Sequence, residues 1–378
     1  MEEKAGMAGK VEVFLGAENI ISPLGWGMQE CFSNAKMGKT GLRPLEQPFF
    51  GIDGLFAAKF EESSFASNSP IEEFAMGSCW GSLEELGLSY QSEERWLFIL
   101  STTKGDIAQL KVGDLEKANP QYLLGQLQKQ LPFDSQGKVI SCACISGLSA
   151  LIYAADKIAA DQVDHALIVG VDLLGEFTSL GFESFFALDQ EQCKPFDKNR
   201  KGLNLGEAAA SMVLSKDSSL FKNTPLRYLG GATSNDANHI SGPSRTGEGL
   251  YRAVSKSLKY SDRSAHQIQF VSAHGTGTQF NDEMESKAFA RLGLQDVPLN
   301  SLKGYFGHTL GASGVVEIAM TMQSMRDGIL LKTLGCSEAG TETKLNVLTE
   351  NLELQVNLAL KTASGFGGCN ASVLIENL

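Results

Sequence analysis

Four short segments carry the residue types that could do chemistry. Cys144 lies in ISCACISGLSAL, at the point where a strand would give way to a helix. A thiolate is a strong nucleophile, and a helix N-terminus favours the anionic form. Ser146 and Gly147 are small and would leave the sulfur accessible. His274 follows a strand-like run in FVSAHGTGTQF, at the kind of strand end where α/β proteins bind ligands. His308 lies in SLKGYFGHTLGASG, five residues after Lys303 and just before small residues that suit a closely packed helix start. Phe366 stands between glycines in SGFGGCN, where a ring could swing as a lid or the turn could present backbone N–H groups. Each has a bland alternative: a buried cysteine acting as a small hydrophobe, a satisfied structural histidine, a tight helix contact, a core phenylalanine on a hairpin. The Gly-Thr-Gly-Thr loop after His274 is a weak phosphate signal and lacks the Walker pattern.

The elements that would hold these residues alternate between short apolar runs and helix-period segments, the α/β pattern. Strands are expected at Val11–Leu15, Trp96–Leu100, Lys138–Ser141, His165–Gly170 and Gln269–Ser272. A helix is expected from Gly147 to Ala160, with Leu148, Leu151, Ile152, Ala155, Ile158 and Ala159 on one face. GEAAASMVLSK (206–216) and GCNASVLIEN (368–377) echo each other, each running from Gly through Ala-Ser into an apolar strand. The echo suggests two halves of like construction, 1–217 with the cysteine and 226–378 with both histidines, and a seam near Ser218–Pro225.

Composition narrows the class. The chain has 378 residues, 43% of them hydrophobic, enough for a large core. A net charge of −12 without a long basic run disfavours nucleic acid. No apolar stretch approaches membrane-spanning length and the start, MEEKAGMAGK, is polar, so a cytoplasmic protein without a membrane partner is expected. Seven cysteines at irregular spacing point to reduced thiols. The C-x-C pair of Cys142 and Cys144 is a poor zinc signal, Cys142 reads as a structural thiol, and no metal is expected.

Taken together and in order, the segments resemble the β-ketoacyl-acyl carrier protein synthases. The nucleophile pattern A-C-x-[ST]-G stands at Ala143–Gly147. H-G-T-x-T with a following D-x-x-E stands at His274–Thr278, Asp282 and Glu285. K-x-x-x-G-H-x-x-G-A-x-G runs from Lys303 to Gly314, and G-F-G-G-x-N from Gly365 to Asn370. SPLG at Ser22–Gly25, P-F-D at Pro195–Asp197, L-G-E at Leu205–Glu207 and D-A-x-H at Asp236–His239 also match. The resemblance implies a thiolase fold, two similar α/β halves in a five-layered αβαβα body. It implies an acyltransferase that performs a decarboxylative Claisen condensation, in fatty-acid, polyene or polyketide synthesis. Cys144 would carry the acyl group, and the amides of Cys144 and Phe366 would form the oxyanion hole. Phe366 would be the gate, and His274 and His308 would polarise the enolate oxygen. Lys303 would hold the histidine region, with Glu285 as partner and Asp282 in support, and Thr276 and Thr278 would contact the pantetheine arm. It also implies no bound cofactor, substrates carried as phosphopantetheine thioesters, acyl carrier protein as partner, and a homodimer or heterodimer.

The chain departs from the family pattern at several positions. Cys142 and Cys369 stand where Thr is usual, Ser364 where Phe is expected, Asn204 and Leu203 in place of an apolar residue and Phe, and Lys201 in place of an acid. A chain-length-determining partner subunit without activity is the competing reading, opposed by the intact Cys144. A thiolase or a coenzyme-A-primed starter synthase fits less well, because both imidazole positions read as His. Lys198, Arg200 and Lys201 form the densest basic cluster and are the expected contact for an acidic carrier protein.

Overall fold

The computed structural model describes residues 11–61, 69–86, 94–239 and 242–378; the polar start Met1–Lys10 lies outside them. Among the described residues eleven strands form the main sheet, ten in one continuous order and the short Gly25–Trp26 pairing with the first of the chain. The first half contributes β1 (Val13–Ser22), β2 (Trp96–Ser101), β3 (Ser135–Ile140), β4 (His165–Asp172) and β5 (Ala208–Ser215). The second contributes β6 (Leu226–Asn235), β7 (Phe270–Ser272), β8 (Leu299–Asn300), β9 (Leu358–Gly365) and β10 (Cys369–Glu376). Their order in space is β8-β7-β9-β10-β6-β1-β5-β4-β2-β3. Read outward from the β1–β6 seam, the halves have one strand order and one set of senses. β2 is parallel to β3 and β4, as β7 is to β8 and β9, while β5 and β10 run antiparallel to their neighbours. The two echoing segments become β5 and β10, equivalent strands of the repeat.

The chemistry of each run explains its place. WLFILS and HALIVGVD are buried throughout, as parallel strands covered on both faces must be. The helices α1 (Pro70–Glu84), α2 (Ser146–Ala159), α3 (Glu176–Ser184), α4 (Glu248–Ser261), α5 (Gln279–Arg291) and α6 (Ser313–Asp327) cover the sheet. α2 and α6 pack against each other and against strands of both halves, whereas α1 lies on the outer side of the first half and α4, touching α5, on that of the second. The two halves of the sheet, joined at the β1–β6 seam, therefore lie on either side of α2 and α6, giving layers α, β, α, β, α, a thiolase-type body. In α6 every residue from Ser313 to Met325 is buried, the mark of a helix enclosed on all sides. α4 shows the contrasting outer pattern, with Leu250, Ala253, Val254, Ser257 and Leu258 buried along one face.

The expected elements are present with shifted ends. β1 runs on to Ser22, past an irregularity between Gly16 and Asn19. β3 starts three residues earlier than expected, and β7 one residue later. α2 spans 146–159, and its Ala159 is exposed while Ala150 and Ala154 are buried. That helix is covered from two sides, so its apolar face is wider than a single stripe. Among the described residues no helix is long and apolar enough to cross a membrane.

Candidate active site

Because the scaffold repeats, the segment before α2 and the segment before α6 are equivalent, and they carry Cys144 and His308. The two helix starts meet through glycine: a Cβ on Gly147 would lie 2.8 Å from the Val315 nitrogen, and one on Gly314 would lie 2.5 Å from the Leu148 nitrogen. Only hydrogen at both positions lets the backbones approach this closely. The turn ahead of α2 is tight. Ser146 Oγ accepts the Cys142 N–H at 2.8 Å and donates to the Ala143 carbonyl at 2.6 Å. Ala143 holds φ of 43°, a costly conformation for a residue with a Cβ, immediately before the cysteine.

His308 is pinned by its backbone. Its N–H donates to the Asn204 carbonyl at 2.7 Å, and its carbonyl accepts the Gly206 N–H at 3.0 Å. The L-G-E segment is thus a bracket for His308, and a Cβ on Gly206 would strike the Phe306 carbonyl. His274 ends β7. Its N–H and that of Gly275 donate to the two oxygens of Glu285, at 2.9 and 2.7 Å. Asp282 takes the N–H groups of Thr276 at 3.0 Å and Phe196 at 2.7 Å, which ties P-F-D to the same loop.

The ligating atoms of Cys144, His274 and His308 all lie within 4.8 Å of one another. All three residues are buried, and the imidazole rings sit 5.2 Å apart at 82°. Nδ1 of His308 accepts the Leu310 N–H at 3.2 Å and lies 3.3 Å from Ser313 Oγ. Nδ1 of His274 lies 3.4 Å from the Lys303 ammonium, a donor only. With Nδ1 used as an acceptor, each neutral ring carries its proton on Nε2. Burial, and then the Lys303 charge, hold both rings far below the usual histidine range; His308 and Lys361 lower His274 further. Nε2 of His308 has no protein partner. The site thus holds two neutral N–H donors beside a sulfur. These three are also the donor set a soft metal would need, but the Lys303 ammonium against His274 opposes a cation there.

Burial pushes the Cys144 thiol up to about 11, against the pull of Lys303 and of the amides of Phe366 and Cys144 itself; Asp172 adds to the rise. The free thiol is therefore protonated at neutral pH, contrary to the expectation from helix position: desolvation outweighs the helix end. The Phe366 backbone lies close enough to the sulfur to favour its thiolate.

Lys303 does not pair with Glu285. It forms a very short contact with Glu317, whose other oxygen meets Lys361 Nζ at 2.6 Å. Both lysines also donate to backbone around His274: Lys303 to the His274 carbonyl at 3.1 Å, Lys361 to the Ala273 carbonyl at 2.9 Å. Glu285 serves the backbone of the histidine loop, and burial, then Asp282, raises it to about 7. Burial raises Asp282 too. Glu317 and Lys361 belong to the site and escape a motif reading. The signal that exposes them is a single charge inside an otherwise buried run, Glu317 in GVVEIAMTM and Lys361 in LALKTASG.

A cavity of about 340 Å³ opens onto the trio. Thr276 and Thr278 line it, their hydroxyls 2.9 Å apart, with Leu203, Ser364 and Phe366. The Phe366 ring stacks on Phe182 at 5.1 Å and meets Phe185 edge-on at 5.5 Å. A larger polar cleft of about 1180 Å³, around Glu18, Glu30, Glu84 and Arg326, touches none of these residues. Two further expectations fail. Of the basic cluster, Arg200 is buried against Glu283 and Asp282, while Lys198 and Lys201 stay exposed in ion pairs with Glu338 and Glu191, and Lys201 lines the cavity. Cys142 is exposed, because it sits on the outside of the turn whose inside Cys144 occupies.

Comparison with known proteins agrees with this construction. The N-terminal domain model of the β-ketoacyl synthases matches residues 56–219, and the C-terminal domain model matches residues 227–337. 3-Oxoacyl-[acyl-carrier-protein] synthase 2 of Rhizobium meliloti is 26% identical over 96% of this chain and 98% of its own length. The ketoacyl synthase alpha subunit of the tetracenomycin polyketide synthase of Streptomyces glaucescens is 31% identical over 63% of this chain and 59% of its own. The solved ishigamide ketosynthase/chain length factor is 26% identical, covers 98% of this chain and 100% of its own, and superposes with a TM-score of 0.85. Two matched domain models, relatives along the full length and a repeated scaffold bearing cysteine and histidine at equivalent helix starts leave one conclusion: the chain belongs to the β-ketoacyl synthase family of acyltransferases.

Proposed function

We propose that this chain condenses an acyl group carried on Cys144 with a malonyl-type thioester on a carrier protein. The observation that supports it most is the pair of low-pKa imidazoles lining the cavity beside one buried sulfur, with His308 Nε2 left without a protein partner. Cys144 attacks the donor thioester carbonyl, the amides of Cys144 and Phe366 hold the oxyanion, and the pantetheine thiol leaves with the proton. The extender carbonyl oxygen then lies between His274 and His308. Loss of CO₂ leaves an enolate whose oxygen takes two hydrogen bonds, and its carbon attacks the acyl carbonyl and frees Cys144. Low-pKa imidazoles suit this role, since they donate without first having to lose a charge. Lys303, Lys361 and Glu317 orient the His274 loop, and Thr276 and Thr278 line the entry for the pantetheine arm. β3 ends the sheet with Gln136, Gly137 and Lys138 exposed, an edge suited to a second subunit, identical or related.

The test is intact-protein mass after mixing the chain with a panel of acyl-carrier thioesters, with Cys144→Ala alongside. Acylation of wild type alone supports the reading, and the best-loaded group identifies the donor. No acylation with any donor moves the chain to the non-catalytic partner-subunit reading.

A further inference from the structure

Two of the chain's departures from its family pattern are cysteines where Thr is usual, Cys142 and Cys369, and they meet in space. Cys142 stands on the outer side of the nucleophile turn and is exposed; Cys369 begins β10, directly after the gate turn 366–368, and is buried. The Cys369 sulfur lies 3.3 Å from the Phe366 carbonyl and 3.8 Å from the Cys142 carbonyl. The two thiols influence each other's ionisation, Cys369 favouring the thiolate of Cys142. This contact bridges the turn that holds Cys144 to the turn that holds Phe366. We propose that Cys142 and Cys369 are a modification site, a thiol pair that a peroxide converts to a disulfide and a dithiol reductant restores.

The chemistry favours Cys142 as the attacking sulfur. The neighbouring Cys369 thiol lowers Cys142 to about 7, against burial, whereas burial holds Cys144 at about 11. At neutral pH the exposed thiol is the one substantially ionised, and thiolate with access decides reactivity. The Cys142 thiolate attacks one peroxide oxygen, the O–O bond breaks, and the departing hydroxide takes a proton from solvent. The Cys369 sulfur then attacks the sulfenyl sulfur, the S–O bond breaks, and water leaves with the Cys369 proton. Two thiols supply two electrons, and one peroxide becomes two waters. The product fastens the gate turn, with its Gly367 at φ of 82° and Gly368 at 73°, to the nucleophile turn. Opening of Phe366 then stops without any change at Cys144.

The experiment treats the full chain with a small excess of hydrogen peroxide, blocks remaining thiols, and maps linked peptides after non-reducing digestion. Wild type is expected to give a Cys142–Cys369 peptide, five remaining thiols out of seven, and acylation of Cys144 that falls and returns with dithiothreitol. Cys369→Thr is expected to give no linked peptide and a Cys142 sulfenic acid trapped by dimedone. A Cys142–Cys144 link in wild type, or oxygen uptake at Cys144 with 142 and 369 still free, overturns the proposal. The mapping does not depend on condensation, so it stands or falls separately from the function proposed above.

Discussion

The two halves share strand order, strand sense and helix placement, yet they are loaded differently. In the first, the segment before the central helix carries a sulfur, and the loop after β2 carries Thr102, Thr103 and Lys104 gathered on Asp172 at 2.8–3.0 Å. In the second, the equivalent segment carries His308 and the loop after β7 carries His274, backed by Lys303, Glu317 and Lys361. One scaffold thus presents a buried thiol from one side and a pair of imidazoles from the other. Asp172 also accepts the Gly311 N–H of the second half at 2.7 Å, so the two loadings are held in mutual register. Repetition supplies the geometry, and a few side chains at equivalent strand and helix ends supply the division of labour.

If that division is right, substitutions in the two halves fail at different steps. Cys144→Ala should abolish acyl loading, with condensation lower by roughly 10³-fold or more. Glu317→Gln should destabilise the fold by about 3–5 kcal/mol in urea unfolding, because two buried ammonium groups lose their counter-charge. His308→Ala should still acylate at Cys144, while condensation falls by about 10²–10³-fold, the usual cost of one lost oxyanion-type donor. Equal loss of both steps in that variant would break the comparison. Gly147→Ala should cost about 1–3 kcal/mol of stability by overpacking the contact between the two helix starts, measured by denaturant melts. The smallest effect is on pH. Both histidines are neutral in the fold with lowered pKa, so the unfolded chain binds protons that the native chain does not. Stability is then full above the unfolded value near 6.5 and falls below it, by at most about 1.4 kcal/mol per histidine per pH unit. His308→Gln should show a shallower acid limb than wild type.

Much of this was legible in the sequence, for identifiable reasons. Cys144, His274, His308 and Phe366 stand in segments whose small residues have backbone jobs, so type and spacing survive as a pattern; Gly147 and Gly314 are contacts that admit nothing larger. The echo between 206–216 and 368–377 was visible because equivalent strands meet equivalent burial. Partnership among charges was not legible. Lys303 lies closer in sequence to Glu285 and Glu317 than Lys361 does to either, and nothing in spacing says which carboxylate faces which ammonium. Lys198, Arg200 and Lys201 are neighbours in the chain, but local turn geometry sends Arg200 inward and leaves Lys201 at the cavity. The thiol of Cys144 was misjudged for a related reason: helix position can be read along the chain, and depth cannot.

The glycine contact between the two central helix starts has a stereochemical consequence. The sulfur and the imidazoles belong to opposite members of a repeated pair, so a thioester lodged at their junction meets a different chemistry on each face. If Cys144 carries the acyl group as proposed, an extender bearing a substituent on its reacting carbon would present one face to it. Under that reading, chirality at that carbon would follow from the relation between the two halves, and a mutation that rotates one helix start against the other should appear as loss of handedness in the product.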